Sequence, residues 1–179
     1  MNRYVEFVRS YPFISAMIQF AILGTLGDYV SSRLARSKTE YTFRIVFSKA
    51  ITWAVLAIFI KVAFVGFEGF LAALVLNRVL PQIFFENTFL NSLSRSVSMN
   101  LQFGFFLVVF HRLLDNLVFG ERNWKSLDRA FISLFWFWIP AHTVTFMLPK
   151  DYQIGLAALW SFMLGLLLSF FAKSSGEVK

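Results

Sequence analysis

A histidine inside an uncharged stretch is the residue of this sequence best suited to chemistry. His142 lies two residues after Pro140, within the run 130–148, which contains no charged side chain. A histidine at membrane depth can relay protons or line a polar pore. Alternatively, it stays neutral and bonds to the backbone that the proline loosens, and we favour this second interpretation.

No second group stands at a spacing that would complete a metal or catalytic site with this histidine. His111 lies at the end of a different apolar stretch, and the chain has no cysteine. The sequence therefore gives little support to a metal site. Signatures of serine hydrolases, zinc proteases, phosphate loops and dinucleotide-binding loops are missing. We predict that the chain is not an enzyme and that it holds no metal and no cofactor.

Two amides also fall inside an apolar stretch. Asn100 and Gln102 are two residues apart, so their side chains point in different directions from a helix. Amide side chains in lipid more often join helices through hydrogen bonds than bind a ligand. We therefore interpret both as residues of helix–helix contacts.

Charged residues near or within the apolar stretches allow two arrangements. Lys61 and Glu68 are seven residues apart and hence share one helical face. Together with Asp28 they are candidates for a buried charge network, since charges in such segments point at protein or an interface. Alternatively, Asp28 pairs with Arg33 near the head groups.

Helices long enough to cross a bilayer must position these groups. A hydrocarbon core needs about 20 apolar helical residues, and lipid leaves backbone groups satisfied only in helices or closed barrels. Two long uncharged runs without period-two alternation predict a helical hairpin that turns at 149–153. With weaker candidates included, we predict four to five spans. Their ranges are 11–33, 50–76, 96–118, 130–148 and 154–172.

The composition agrees with an all-α integral membrane bundle that forms one domain over residues 1–179. The chain is 58% hydrophobic and only 15% charged, and it contains 24 Phe. Its net charge of +7 is assigned to loops that set topology and meet anionic lipids, so no nucleic-acid partner is expected. The basic segment 33–49 is predicted to face the cytoplasm or a mitochondrial matrix.

Basic residues at the ends of the spans are candidates for contact with lipid head groups. Such side chains pair with phosphate at the membrane surface. We expect membrane lipids as partners, with cardiolipin as one candidate. The residues concerned are Arg44, Lys49, Arg95 and Arg129.

Small residues recur every fourth position along the last predicted span. They are Ala157, Ser161, Gly165 and Ser169. Such a stripe lets helix backbones approach closely, which is how helices associate in lipid. We predict that it packs against the fourth span of the same chain; the alternative is a contact with another subunit.

Two groups of residues carry a family resemblance. The end of the first span reads Leu-Gly-Asp-Tyr-Val-Ser-Ser-Arg-Leu, and Gly27 and Asp28 are its second and third residues. Later landmarks follow in the order Trp124, Trp138, Pro140, Phe146 and Pro149. In both respects the chain resembles the family of Mpv-seventeen and the twenty-two-kilodalton peroxisomal membrane protein.

The resemblance implies a small multi-span protein of the mitochondrial inner membrane or of the peroxisomal membrane, and a channel for small solutes. Several polar family positions are less polar here; Thr145 stands where the family has asparagine. Since apolar replacements weaken a conduit and favour burial, we favour a non-catalytic accessory subunit of a larger inner-membrane complex, such as a respiratory complex or ATP synthase. Other membrane subunits would then be partners. The alternative is the channel.

Overall fold

A computed structural model describes residues 2–34, 40–120, 122–124 and 127–174, with the side chains of the last helix described through Leu167. Within these ranges every regular element is a helix and no strand occurs. Among the described residues, four helical segments are long and apolar enough to cross a membrane. The protein is therefore an all-α membrane bundle, as the sequence predicts.

The helices follow one another in a simple order. They are α1 (Arg3–Ser10), α2 (Pro12–Leu34), α3 (Phe43–Leu76), α4 (Ile83–Glu86), α5 (Thr88–Met99), α6 (Phe105–Phe119), α7 (Leu127–Ser133), α8 (Ile139–Met147) and α9 (Lys150–Ser174). Single π-helical turns join two pairs of them into continuous segments. The turn Asn100–Gly104 joins α5 to α6, and the turn Leu134–Trp138 joins α7 to α8.

Each predicted span lies on one of these helices or continuous segments, but two helices begin well before the predicted span. Helix α3 begins seven residues early because the hydroxyl of Thr42 caps its first turn. Helix α5 begins at Thr88 because the side chain of Asn87 caps it in the same way. The stretch before residue 96 therefore includes the start of the third membrane-spanning segment.

Helix α2 lies between α3 and α9 and packs along both. The core where they meet is fully buried and includes Phe20 of α2, Leu56 of α3, and Ile154 and Ala158 of α9. Helix α6 packs against α3, and α5 packs against α8. This arrangement brings the end of α2 and the end of α6 to the beginning of α3.

The small residues of α9 meet α2, so the predicted contact with the fourth span is wrong for this stripe. A Cβ atom at Gly165 would lie 3.2 Å from the carbonyl oxygen of Gly27, and one at Gly27 would lie 3.0 Å from the α9 backbone. Ala157 and Ser161 are buried; the side chain of Ser169 lies outside the described residues.

The fourth span contacts a different face of α9. Trp160 donates its indole N–H to the hydroxyl of Thr145, at 3.1 Å, and packs edge-on against Phe137. Large aromatic rings make this contact, whereas the close approach that small residues allow is made with α2.

Proline chemistry explains the irregular fourth span. Pro140 has no N–H to bond one turn back, and the π-helical turn Leu134–Trp138 precedes it. The hydroxyl of Thr143 bonds to the carbonyl of Ile139 at 2.7 Å, and Thr145 bonds in the same way to the carbonyl four residues earlier. Both hydroxyls thereby bond within α8, to a carbonyl one turn earlier in the helix.

Helix α1 is fixed to the start of α9 by an ion pair. The Arg9 guanidinium donates to both carboxylate oxygens of Asp151, at 3.0 and 2.7 Å. This contact lies beyond the apolar part of the bundle. Its hydrogen bond lowers the pKa of Asp151 below the ordinary value.

We expect this ion pair to make a small, pH-dependent contribution to stability. A carboxylate whose folded pKa is lowered stabilises the fold above its unfolded pKa, and the stabilisation disappears as pH falls through the folded pKa. The advantage of the wild type over Arg9→Gln in thermal unfolding should therefore be larger near pH 7 than near about pH 2. An equal difference at both pH values would contradict this expectation.

Candidate functional site

A buried lysine between two carboxylates defines one end of the interior. The Nζ atom of Lys49 lies 3.0 Å from Asp28 of α2 and 2.6 Å from Asp115 of α6. The lysine side chain is only 4% exposed, while the two carboxylates are 24% and 21% exposed. We call these three residues the lysine–carboxylate cluster. An ammonium ion so deeply buried needs such partners, because its desolvation would otherwise be unfavourable.

Neighbouring side chains fix the orientation of the cluster. The indole N–H of Trp53 donates to Asp28 at 3.0 Å, and the hydroxyl of Tyr41 donates to the backbone carbonyl of the same residue at 3.1 Å. Burial raises the pKa of Tyr41, so the hydroxyl remains a donor. His111 packs edge-on against Trp53 and lies 3.7 Å from Asp115.

The cluster corrects three predictions. Asp28 pairs with Lys49, and neither with Arg33 nor in a network with Lys61 and Glu68. Lys49 is not a lipid-facing residue of a loop, because α3 begins six residues before it and turns it into the bundle. The carboxylates of Asp28 and Asp115 attract the ammonium group there because their charge is opposite and they lie within 3.0 Å of it.

A second polar pair joins the third and fourth spans. The side-chain amide nitrogen of Asn100 lies 3.1 Å from Nδ1 of His142, and both residues are buried. The predicted helix-to-helix role of Asn100 is therefore observed. The hydrogen-bond partner that the structure gives His142 is this amide, and not the predicted backbone beside the proline. Gln102 is exposed in a groove on the outer side of α3.

The two π-helical turns face each other and bring this pair together. A Cβ atom at Gly104 would lie 2.9 Å from the side chain of Leu134 in the opposite turn. A π-helical turn adds a residue to the helix and redirects the side chains around it, and such turns are frequent at functional sites. Here they direct Asn100 and His142 towards the bundle interior.

A cavity of about 320 Å³ connects the two polar groups. Its walls are mainly apolar and come from α2, α3, α9 and the third and fourth spans. The lining includes Phe20, Leu56, Ile60, Phe103, Leu107 and Leu134. Polar lining at one end comes from Asp28, His111, Arg112 and Asp115, and at the other end from Asn100 and His142. We call this space the central cavity.

The central cavity follows α3 for about half of the membrane thickness. Its lining on α3 begins at Trp53, beside Asp28, and ends at Phe64, eleven residues further along the helix. That distance is about 16 Å at 1.5 Å per residue, whereas a hydrocarbon core is about 30 Å thick. The cavity thus spans about half of the apolar layer.

Two phenylalanine rings lie at the far end of the central cavity, and we call Phe64 and Phe146 the aromatic cap. The ring of Phe64 packs edge-on against His142 and against Phe146, at centroid distances of 5.7 and 4.9 Å. The Arg95 guanidinium lies 4.3 Å from the centroid of the Phe146 ring, and it donates to the Phe64 carbonyl at 3.1 Å. Glu68 approaches the same guanidinium to 3.7 Å.

The cap corrects the role predicted for Arg95. Its side chain is buried against Phe146 and the Phe64 carbonyl, so it does not face lipid head groups. A π face and a carbonyl dipole replace the head group as partners. Arg44 and Arg129 are exposed, as the lipid prediction requires.

The residues that carried the family resemblance fall in different places. Trp138 lines the central cavity and stacks on His142 at 5.0 Å, and Phe146 is part of the cap. Gly27 provides the close contact with α9, next to Asp28 in the cluster. Trp124 lies exposed between α6 and α7. The irregular fourth span contains Pro140, and Pro149 is in the turn that follows it.

Sequence reasoning did not identify the partnership of Lys49 with Asp115. Both residues lie where an apolar run meets polar sequence, which is also where lipid-facing charges occur. The available signal was the helix cap at Thr42, which places Lys49 in the second turn of α3, beside the end of the neighbouring α2.

The fold and site therefore define a helical membrane bundle with a partly polar internal cavity. Comparisons with protein-family models, curated proteins and solved structures found no match. The resemblance to the Mpv-seventeen family remains a prediction from the residues described above.

Proposed function

We propose that this protein is a membrane-embedded conduit for small solutes, the channel alternative of the sequence analysis. The central cavity is the observation that supports this proposal, because it runs along α3 between two polar groups. A subunit whose work is only helix packing gains stability by filling its interior. Here polar side chains from separate helices converge on open space instead.

The proposed path has distinct ends. At one end the two carboxylates of the lysine–carboxylate cluster, Asp28 and Asp115, are partly exposed, so a solute can exchange water for protein contacts there. At the other end the aromatic cap separates the cavity from Arg95 and Glu68. Passage would therefore require the ring of Phe64 or Phe146 to move, and this conformation corresponds to a closed state.

The membrane in which the conduit works is proposed from the resemblance alone. We favour the mitochondrial inner membrane, with the peroxisomal membrane as the alternative. Exposed Arg44 and Arg129 would bind head groups there, cardiolipin among them, because basic side chains near the surface attract anionic lipids.

An accessory subunit of a larger membrane complex is a second candidate function. The segment Thr88–Phe119 supports it: only 17% of its most apolar window is buried within the chain, against 33–44% for the other three. A neighbouring subunit could cover this face. A discrete large assembly on native gels, lost when Phe106 on this face is replaced by Asp, would support this candidate.

Solute flux into proteoliposomes tests the conduit. Vesicles that contain the purified chain should admit glycerol faster than empty vesicles in a stopped-flow swelling assay. Ser133→Leu should reduce the rate to that of empty vesicles, because Ser133 lines the central cavity and is itself 1% exposed. The control Leu101→Phe changes an exposed residue of the outer surface. Equal rates with and without protein, or full flux through Ser133→Leu, would contradict the proposal.

A further inference from the structure

The hydrogen bonds of Asn100 determine which nitrogen of His142 carries the proton. The amide nitrogen of Asn100 donates to the backbone oxygen of Ser96 at 2.8 Å, which fixes the orientation of the amide because a carbonyl can only accept. The same nitrogen lies 3.1 Å from Nδ1 of His142. Nδ1 is therefore the acceptor, and the proton of the neutral ring is on Nε2.

Two polar atoms of Asn100 and His142 make no hydrogen bond to the described part of the protein. Within the described part of the chain, no hydrogen bond reaches Nε2 of His142 or Oδ1 of Asn100. Neither atom is among those sealed from solvent without a partner. Both residues are more than nine-tenths buried and both line the central cavity. Since buried polar groups nearly always find a partner, water or a solute inside the cavity must supply one to this donor and this acceptor.

The surroundings of these atoms disfavour an ion. His142 is stacked on Trp138 and Phe146 and meets the edge of Phe64, so its neighbours are uncharged rings. Transfer of a bare charge into such an environment is far more costly than transfer of an amide or hydroxyl that finds a hydrogen bond.

The opposite end of the cavity carries no excess of either charge. Asp28 and Asp115 are balanced by Lys49 and by Arg112, which lines the cavity beside them. No ion of either sign would therefore be concentrated at the entrance by its formal charge.

We propose that Asn100 and His142 form a recognition site for the uncharged amide or hydroxyl group of a small solute. The Nε2–H group donates a hydrogen bond to the solute's oxygen, and Oδ1 of Asn100 accepts a hydrogen bond from its N–H or O–H group. The proposal rests on the conduit function and names the class of solute that the conduit takes.

Nitrogen NMR of the whole chain in detergent micelles tests recognition separately from transport. The chain contains two histidines, and His111 at the opposite end of the cavity reports whether a solute binds away from the proposed site. Acetamide should shift the Nε2–H resonance of His142 in a saturable way and leave that of His111 in place. Potassium chloride should shift neither. Equal shifts at both histidines, no shift with acetamide, or a saturable shift with the salt would overturn the proposal.

Two variants test whether Asn100 is part of the recognition site. Asn100→Leu should weaken the acetamide response by about tenfold, the effect of one hydrogen bond of roughly 1.4 kcal/mol. Thr143→Val should leave it unchanged, because this hydroxyl bonds within its own helix and does not line the cavity. An unchanged response in Asn100→Leu would overturn the assignment. If acetamide binds as described but glycerol does not enter proteoliposomes, the conduit function fails while the recognition site stands.

Discussion

Replacement of Lys49 by methionine is expected to destabilise the protein by about 3 kcal/mol, the lower end of the range for breaking a buried ion pair. The loss leaves the carboxylates of Asp28 and Asp115 facing each other without the ammonium group that holds both. Their partial exposure keeps the effect from being larger. Thermal unfolding in detergent micelles at neutral pH measures the change.

Two further variants separate lost pairing from lost packing at Lys49. In the Lys49→Met background, replacement of Asp28 and Asp115 by asparagine should recover much of the stability, because no unpaired charge then remains. Lys61→Met is the matched control, since Lys61 is a half-buried lysine of the same helix with no ion pair among the described residues. Equal losses in Lys49→Met and Lys61→Met would contradict the assigned role of the cluster.

Substitution of Gly165 by leucine is expected to cost about 3 kcal/mol, the upper end for overpacking, and to impair assembly of α9 on α2. Even a methyl group at this position would lie 3.2 Å from the carbonyl oxygen of Gly27. Backbone atoms cannot rotate away as a flexible side chain can. The two helices would have to separate along their whole contact.

Another glycine of the chain provides the control for Gly165. A Cβ atom at Gly66 would meet no atom within 4 Å, so Gly66→Leu should retain wild-type stability. Both variants are compared by their yield as a monodisperse species and by thermal unfolding in micelles. If Gly165→Leu behaves like Gly66→Leu, the close contact between α2 and α9 does not exist.

Length and polarity were sufficient to predict the membrane fold. Uncharged runs of about 20 residues have few alternatives to helices in lipid, so the spans could be located before the structure was known. Their ends were harder to predict, because capping by Thr42 and Asn87 extends the second and third helices into polar sequence. The small-residue stripe of α9 was recognised, but its partner depends on which helix offers another glycine.

The site depended on information that the sequence does not contain locally. Asn100 and His142 are 42 residues apart, and only the two opposing π-helical turns place them together. Lys49 and Asp115 are 66 residues apart and each looks like an ordinary end-of-span charge. A buried cluster and a lipid-facing set of charges have the same local pattern. They differ only in which face of the helix points at the bundle.

The accessory-subunit hypothesis and the conduit hypothesis differ in what they require of the interior. Less polar residues at family positions, such as Thr145 in place of asparagine, favoured the accessory-subunit hypothesis. The hydroxyl of Thr145, however, is fully buried and bonds within its own helix and to Trp160. It does not line the central cavity. Its lower polarity is therefore no argument against a conduit in this chain.

Cysteine modification tests the central claim most directly, because the chain has no cysteine of its own. Thiols react as thiolates, which form in water and not in lipid. Ser133→Cys places a thiol in the central cavity, and Ile22→Cys places one on the outer surface in the middle of the first span. A small water-soluble methanethiosulfonate reagent, added to vesicles from the side of Asp28, should modify Ser133→Cys rapidly and leave Ile22→Cys unmodified. If both thiols are equally unreactive, the bundle contains no water-accessible cavity and the account is wrong.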